Sequence, residues 1–296
     1  MIQNFYIHIG TYKTGTTSIQ QLLLHYEEQL KLNNVYVIDR ERDLPEVSKW
    51  LFPQWYDIKD EAKQESKAIH QLLALKESVI SYENIIYSEE NFTDILCIEE
   101  QQARAKKLNF VIEMFSAKST KAHVFFRDPS TLLLSWYKQL IRNRNYNFSS
   151  YQSFIEQNLQ NILKACDWKE YTKSLEKSVG KGNIITHKFE DSARHGLTNY
   201  FFENILKIKS IKIKEKTYNE SQSDLKTRLM ESVSTLAINR KLSAKNIGWL
   251  KLAIFEMNPM DEAPQEMYKL PKENAAKIQT LSESLNHNLN TKGIKN

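Results

Sequence analysis

The run Phe5-Tyr6-Ile7-His8-Ile9-Gly10-Thr11-Tyr12-Lys13-Thr14-Gly15-Thr16-Thr17-Ser18-Ile19 constrains this chain more than any other stretch. Phe5, Ile7 and Ile9 alternate with Tyr6 and His8 as in a short strand, and a helical pattern starts directly after Gly15. Gly10 and Gly15 bound the loop between them and allow backbone angles and close approaches that a side chain forbids. A strand passing through such a loop into a helix aims the amides of Gly15, Thr16, Thr17 and Ser18 at one point. There the unpaired N–H groups and the positive dipole end of the helix hold an anion. The string therefore predicts a phosphate cradle, against the plainer alternative of a strand-turn-helix corner.

The spacing of Gly10 and Gly15 copies the first half of the nucleotide pattern G-x-x-x-x-G-K-[ST], but Thr16 stands where the lysine belongs. The lysine is Lys13, inside the loop. From there it lies nearer the first phosphate of a nucleotide than the β/γ-phosphates, which suits a reacting group attached close to the 5′-phosphate.

Two further strings carry chemistry. Val124-Phe125-Phe126 reads as a buried strand ending at Arg127, and Pro129 suits the first turn of a helix reaching about Arg144. Arg127, with its planar fork, and Ser135, two turns into that helix, can meet over one anion. The alternative is an ion pair of Arg127 with Asp128 or Asp191 and a solvent-facing serine. Tyr87-Ser88-Glu89-Glu90-Asn91-Phe92 places two acids just after the apolar pair Ile85-Ile86. A carboxylate there can take a proton from an acceptor hydroxyl, or Ser88 or Asn91 simply caps a helix. His8, in the first strand, is another candidate base or a satisfied core residue.

Lys13-Thr14-Gly15-Thr16-Thr17 resembles the K-[ST]-G-T-[ST] loop of sulfotransferases that use 3′-phosphoadenosine-5′-phosphosulfate (PAPS), and Arg127 with Ser135 resembles their 3′-phosphate pair. The segment around Glu90-Asn91-Phe92 resembles the S-E-N-F string of bacterial-type members. The resemblance implies a P-loop NTPase-like α/β fold with a central, mainly parallel sheet flanked by helices. It implies PAPS as donor and adenosine 3′,5′-bisphosphate as product. Lys13, Thr14, Gly15, Thr16, Thr17 and Ser18 then bind the 5′-phosphosulfate, with Lys13 also catalytic. Arg127 and Ser135 bind the 3′-phosphate. Glu90 is the first candidate base, Glu89 the second, and His8 a further catalytic candidate. The R-K-G-x-x-G-D-W-K-N string of the animal cytosolic branch is absent; Lys181-Gly182-Asn183 only echoes it.

With 296 residues the chain can form one large α/β domain or two small ones; lacking linkers and repeats, it is expected to form a single domain over 1–296. Strands are expected at 5–9, 35–38, 84–88, 121–127 and 183–188. Helices are expected at 16–32, 60–80, 98–118, 130–144, 151–180 with a break, 197–207, 223–241, 244–256 and 272–290. No stretch approaches the roughly 18 apolar residues of a membrane span, and Met1-Ile2-Gln3-Asn4 lacks a charged signal-peptide start, so a cytoplasmic protein without a membrane segment is expected. Cys97 and Cys166 make no disulfide framework, and no histidine-carboxylate spacing suggests a metal, so none is expected. The net charge of +5 fits a polyanionic donor without the basic coat of a nucleic-acid binder.

The acceptor is expected to be a carbohydrate or polysaccharide hydroxyl, or an amine, with a lipid, a phenol or a small metabolite also open. Trp50, Phe52, Trp55 and Tyr56, Trp55 first among them, could stack on a sugar or serve as core or lid packing, and Arg142 and Arg144 could meet the donor or an acidic acceptor. A P-loop kinase is one alternative, needing lysine at position 16 and a magnesium-binding acid. A non-catalytic nucleotide- or glycan-binding protein is the other.

Overall fold

A computed structural model describes residues 1–11, 14–53, 56–89, 101–142, 148–211, 213, 224–239, 243–256 and 270–291. The chain divides into two compact units, Met1–Arg127 with Asp167–Tyr218 and His287–Asn296, and Asp128–Cys166 with Asn219–Asn286.

The first unit is built on five strands: β1 Asn4–Gly10, β2 Val35–Ile38, β3 Asn84–Ser88, β4 Ser119–Phe126 and β5 Ile184–Lys188. All pairings are parallel, in the order β2-β3-β1-β4-β5. The α/β architecture expected from the sequence is the one observed. Each strand falls where an apolar run is bounded by turn residues, and the buried parallel sheet explains why those runs are nearly continuous.

Register assigns the two faces. Tyr6, His8, Ile86, Ser88, His123, Phe125 and His187 lie on one, and Phe5, Ile7, Ile85, Tyr87, Val124 and Phe126 on the other. Helix α1, Thr16–His25, covers the first face with Ile19, Leu22 and Leu23, joined by Phe201 and Phe202 of a π-helical turn, Phe201–Ile205. Helix α2, Glu27–Leu32, continues to β2. The expected single helix over 16–32 is thus two, parted at Tyr26, whose N–H still bonds the Leu22 carbonyl at 2.9 Å.

After β2 come α3, Arg40–Asp43, α4, Pro45–Leu51, and α5, Glu61–Val79. Helix α6, Gln101–Phe115, sets Phe115 against Phe5 on the second face, with ring centroids 5.0 Å apart. Helix α9, Trp168–Val179, stacks Trp168 on Phe126 at 4.9 Å. Beyond β5 follow α10, Phe189–Arg194, and α11, Leu197–Tyr200, which runs into the π-helical turn.

In the second unit α7, Pro129–Arg142, packs on α8, Tyr151–Ala165, and on α12, Asp224–Ile238, and α13, Ala244–Glu256. Helix α14, Lys272–Thr291, belongs to this unit through Asn286. Trp136, Tyr137, Phe148, Tyr151 and Phe154 form its aromatic core, where the Tyr137 hydroxyl donates to Glu231. Asp128 accepts the Ser130 N–H at 3.0 Å and so opens α7. Cys166 is buried, and burial pushes its thiol up to about 12. Cys97 lies outside the described residues. Among the described residues no helix is long and apolar enough to cross a membrane.

Candidate active site

The chain leaves β1 for α1 on one face of the sheet and leaves β3 for α6 on the other. Because β1 and β3 are neighbours, the winding reverses between their carboxyl ends, the usual ligand position of such sheets.

On the β1 side, the Thr11 N–H donates to the Phe125 carbonyl at 3.1 Å, prolonging the ladder by one residue. The chain then turns tightly: the Thr14 N–H and hydroxyl both donate to the Thr11 carbonyl, at 3.2 and 2.6 Å. Gly15, at φ +72°, is the N-cap of α1, where a Cβ would also sit 2.4 Å from Leu197 Cδ2. A Cβ on Gly10 would sit 1.9 Å from Thr16 Oγ1, so only glycine lets that threonine fold over the strand end. Thr14 and Thr16 are buried, while Thr17 and Ser18 are half-buried. Among the described residues no side chain caps α1, whose first-turn N–H groups, as at any helix start, have no intrahelical partners. Lys13 lies outside the described residues.

On the β3 side, the Glu89 N–H donates to the His8 carbonyl at 2.9 Å. The Glu89 carboxylate is fully buried and bonded by Arg40 Nη1 at 3.3 and 3.4 Å. Arg40 was not anticipated from the sequence. It follows β2, and only the adjacency of β2 and β3 brings it to Glu89. Glu90 lies outside the described residues.

His8 is 1% exposed, and its Nδ1 is 2.7 Å from Ser88 Oγ. Burial, then the nearby His187, lowers its pKa to about 3. It belongs to a cluster: His123 Nδ1 is 2.9 Å from His187 Nε2, and His187 Nδ1 is 3.0 Å from the Tyr200 hydroxyl. Burial lowers His123 to about 2, reinforced by His187, His8, Lys121 and Lys207, and lowers His187 to about 4. At neutral pH all three rings are uncharged.

The two units hold the remaining candidates separately. Arg127 is the last residue of the first, with its guanidinium 5.1 Å from the centroid of the Phe189 ring. Ser135 is buried on α7 of the second, where Arg142 is exposed at the helix end. Trp55 and Arg144 lie outside the described residues. Trp50 and Phe52 are buried; Trp50 packs edge-on to Phe110 at 5.7 Å, and Lys107 bonds its carbonyl. A cleft of about 390 Å³ beside them is lined by Trp50, Phe110, Lys106, Lys107, Glu61 and Glu65. Among the described residues no group of three or more histidine, cysteine or acidic side chains is placed to hold a metal ion.

The chain is similar to solved sulfotransferases. A sulfotransferase from Alicyclobacillus acidocaldarius shares 14% identity over 83% of this chain and 98% of its own, with a TM-score of 0.46. The sulfotransferase domain from the curacin biosynthetic pathway shares 10% identity over 97% of this chain and 98% of its own, with a TM-score of 0.43. No family model and no curated protein matches the sequence.

Proposed function

We propose that this protein is a PAPS-dependent sulfotransferase acting as a single domain, moving a sulfuryl group to a hydroxyl or amine of a carbohydrate and releasing adenosine 3′,5′-bisphosphate. The observation that carries the reading is the uncapped start of α1 behind the Gly10–Gly15 loop, at the reversal between β1 and β3 and across from Ser88 and Glu89. The site fits such a donor: first-turn amides with open partners meet a phosphosulfate, and a guanidinium follows the neighbouring strand β4.

PAPS supplies an activated sulfuryl group whose leaving oxygen belongs to the 5′-phosphate. Lys13 and the amides of Gly15, Thr16, Thr17 and Ser18 stabilise the charge that builds on that oxygen, as fixed donors do in phosphoryl transfer. Arg127 binds the 3′-phosphate, and Ser135 remains its partner from the sequence motif. Glu90 takes the acceptor proton; Glu89, shared with Arg40, is the second candidate. The cleft beside Trp50, with aromatic edges and charges of both signs, suits a sugar, and Arg142 and Arg144 suit an acidic one. No step requires a metal, and a cytoplasmic location fits the reading.

The test is a calorimetric titration with adenosine 3′,5′-bisphosphate in EDTA, alongside AMP, ADP and ATP. Binding that needs the 3′-phosphate and weakens in Arg127→Ala supports the reading; preference for ATP with magnesium replaces it with a kinase.

A further inference from the structure

Strand β4 ends one residue before Arg127 and β5 one residue before Phe189, and the last residues of the two strands, Phe126 and Lys188, are register partners. Arg127 and Phe189 therefore leave the sheet side by side. The Arg127 guanidinium lies 5.1 Å from the centroid of the Phe189 ring, within reach of a cation–π contact.

The same ring also reaches the start of α1. A Cβ on Gly15, the N-cap residue, would meet Phe189 Cε2 at 3.7 Å, and Leu197 Cδ2 lies closer still to that position. One half-buried ring is thus set against both the N-cap of α1 and the guanidinium beyond β4, and all of these residues belong to the first unit. A phenyl ring has no hydrogen-bonding group, so it offers the guanidinium only its quadrupole and its surface. That is useful in a different way. An arginine head on a flexible stem loses rotamer freedom when it closes on an anion, and a ring that already holds the head removes part of that cost before the anion arrives.

We propose that Phe189 is a positioning residue: its ring holds the Arg127 guanidinium at a set distance from the first turn of α1, so that one anionic ligand meets both at once. The proposal rests on the donor site in the reading above and gives a role to a residue that reading does not use. Phe189 takes no part in sulfuryl transfer.

The first test needs no ligand. In ¹⁵N–¹H spectra of arginine-labelled full chain, with the Arg127 Nε–H signal assigned by its loss in Arg127→Lys, a ring-current displacement is expected that disappears in Phe189→Leu; Phe189→Met serves in its place if the leucine variant does not fold. An Arg127 signal that neither substitution moves overturns the proposal without reference to any nucleotide. Calorimetry in EDTA then compares adenosine 3′,5′-bisphosphate, AMP and inorganic phosphate. Phe189→Leu is expected to weaken the bisphosphate about fivefold, since preorganisation returns no more than the contact itself is worth, while AMP, which lacks the 3′-phosphate, is unaffected. Phe189→Tyr, which keeps the ring, should retain the affinity. In the Arg127→Ala background Phe189→Leu should cost nothing further. Equal losses for AMP and the bisphosphate, or a loss undiminished in that background, would mark a merely structural role and overturn the proposal. Phosphate binding that depends on both Arg127 and Phe189 while the nucleotide fails to bind would uphold it and discard the PAPS reading. Bisphosphate binding that needs the 3′-phosphate yet is indifferent to Phe189→Leu would do the reverse, and binding of no probe overturns it.

Discussion

Lowering the pH should unfold this protein through its sheet histidines. His8, His123 and His187 have folded pKa values of about 3, 2 and 4 because the sheet face buries them, and the charges near them are each other and, for His123, Lys121 and Lys207. In the unfolded chain each titrates near 6.5. The folded values are the lower ones, so the unfolded state binds more protons below 6.5, and stability present at neutral pH is lost as the pH falls. Between pH 7.5 and 5.5 each histidine removes about 1.4 kcal/mol, together about 4 kcal/mol, or roughly a thousandfold in the folding equilibrium. That is a large part of the roughly 5–15 kcal/mol that holds a typical domain. Urea unfolding at half-unit pH steps, followed by tryptophan fluorescence, measures the slope, which should approach three protons below pH 6. His123→Asn should remove one of them. A wild-type slope below one proton per molecule would refute the reasoning, because it would mean that the rings are hydrated or already charged in the fold.

Other perturbations separate the parts of the site. Lys13→Ala should lower turnover at saturating donor about a hundredfold with a smaller effect on adenosine 3′,5′-bisphosphate affinity, while Arg127→Ala should chiefly weaken that affinity, about tenfold or more. Steady-state kinetics beside calorimetry distinguishes the two. Arg40→Leu takes a partner from the buried Glu89 carboxylate and should cost about 3 kcal/mol in urea unfolding, most of it recovered in Arg40→Leu/Glu89→Leu. Gly15→Ala forces an L side chain into φ +72° and against Leu197; a loss of about 2 kcal/mol is expected from the urea midpoint.

The sheet was legible because each of its strands is a short apolar run between turn residues, and a strand buried on both faces needs no finer pattern. Helices α3, α4 and α10 were not legible: elements of one or two turns are too short for a period of 3.6 to show. The tight loop could be read because Gly10 and Gly15 act locally, within one turn of chain. Arg40 could not, since its meeting with Glu89 depends on strand order, nor could the contact of His8 with Ser88, which depends on the register of residues eighty positions apart. At 50–56 the sequence left a sugar platform and core packing both open, and Trp50 and Phe52 serve as core, because a ring's burial is settled by neighbours distant in sequence.

The central place of β1 also governs when the site comes into being. Its loop is complete within the first residues made, but β1 pairs with β3, and with β4 some 115 residues further along the chain. At roughly 5–20 residues per second a ribosome needs about 6–23 s to cover that distance. Until β4 is made Thr11 has no Phe125 carbonyl to bond, so the Gly10–Gly15 loop, among the first segments synthesised, takes its final place only after β4 has followed.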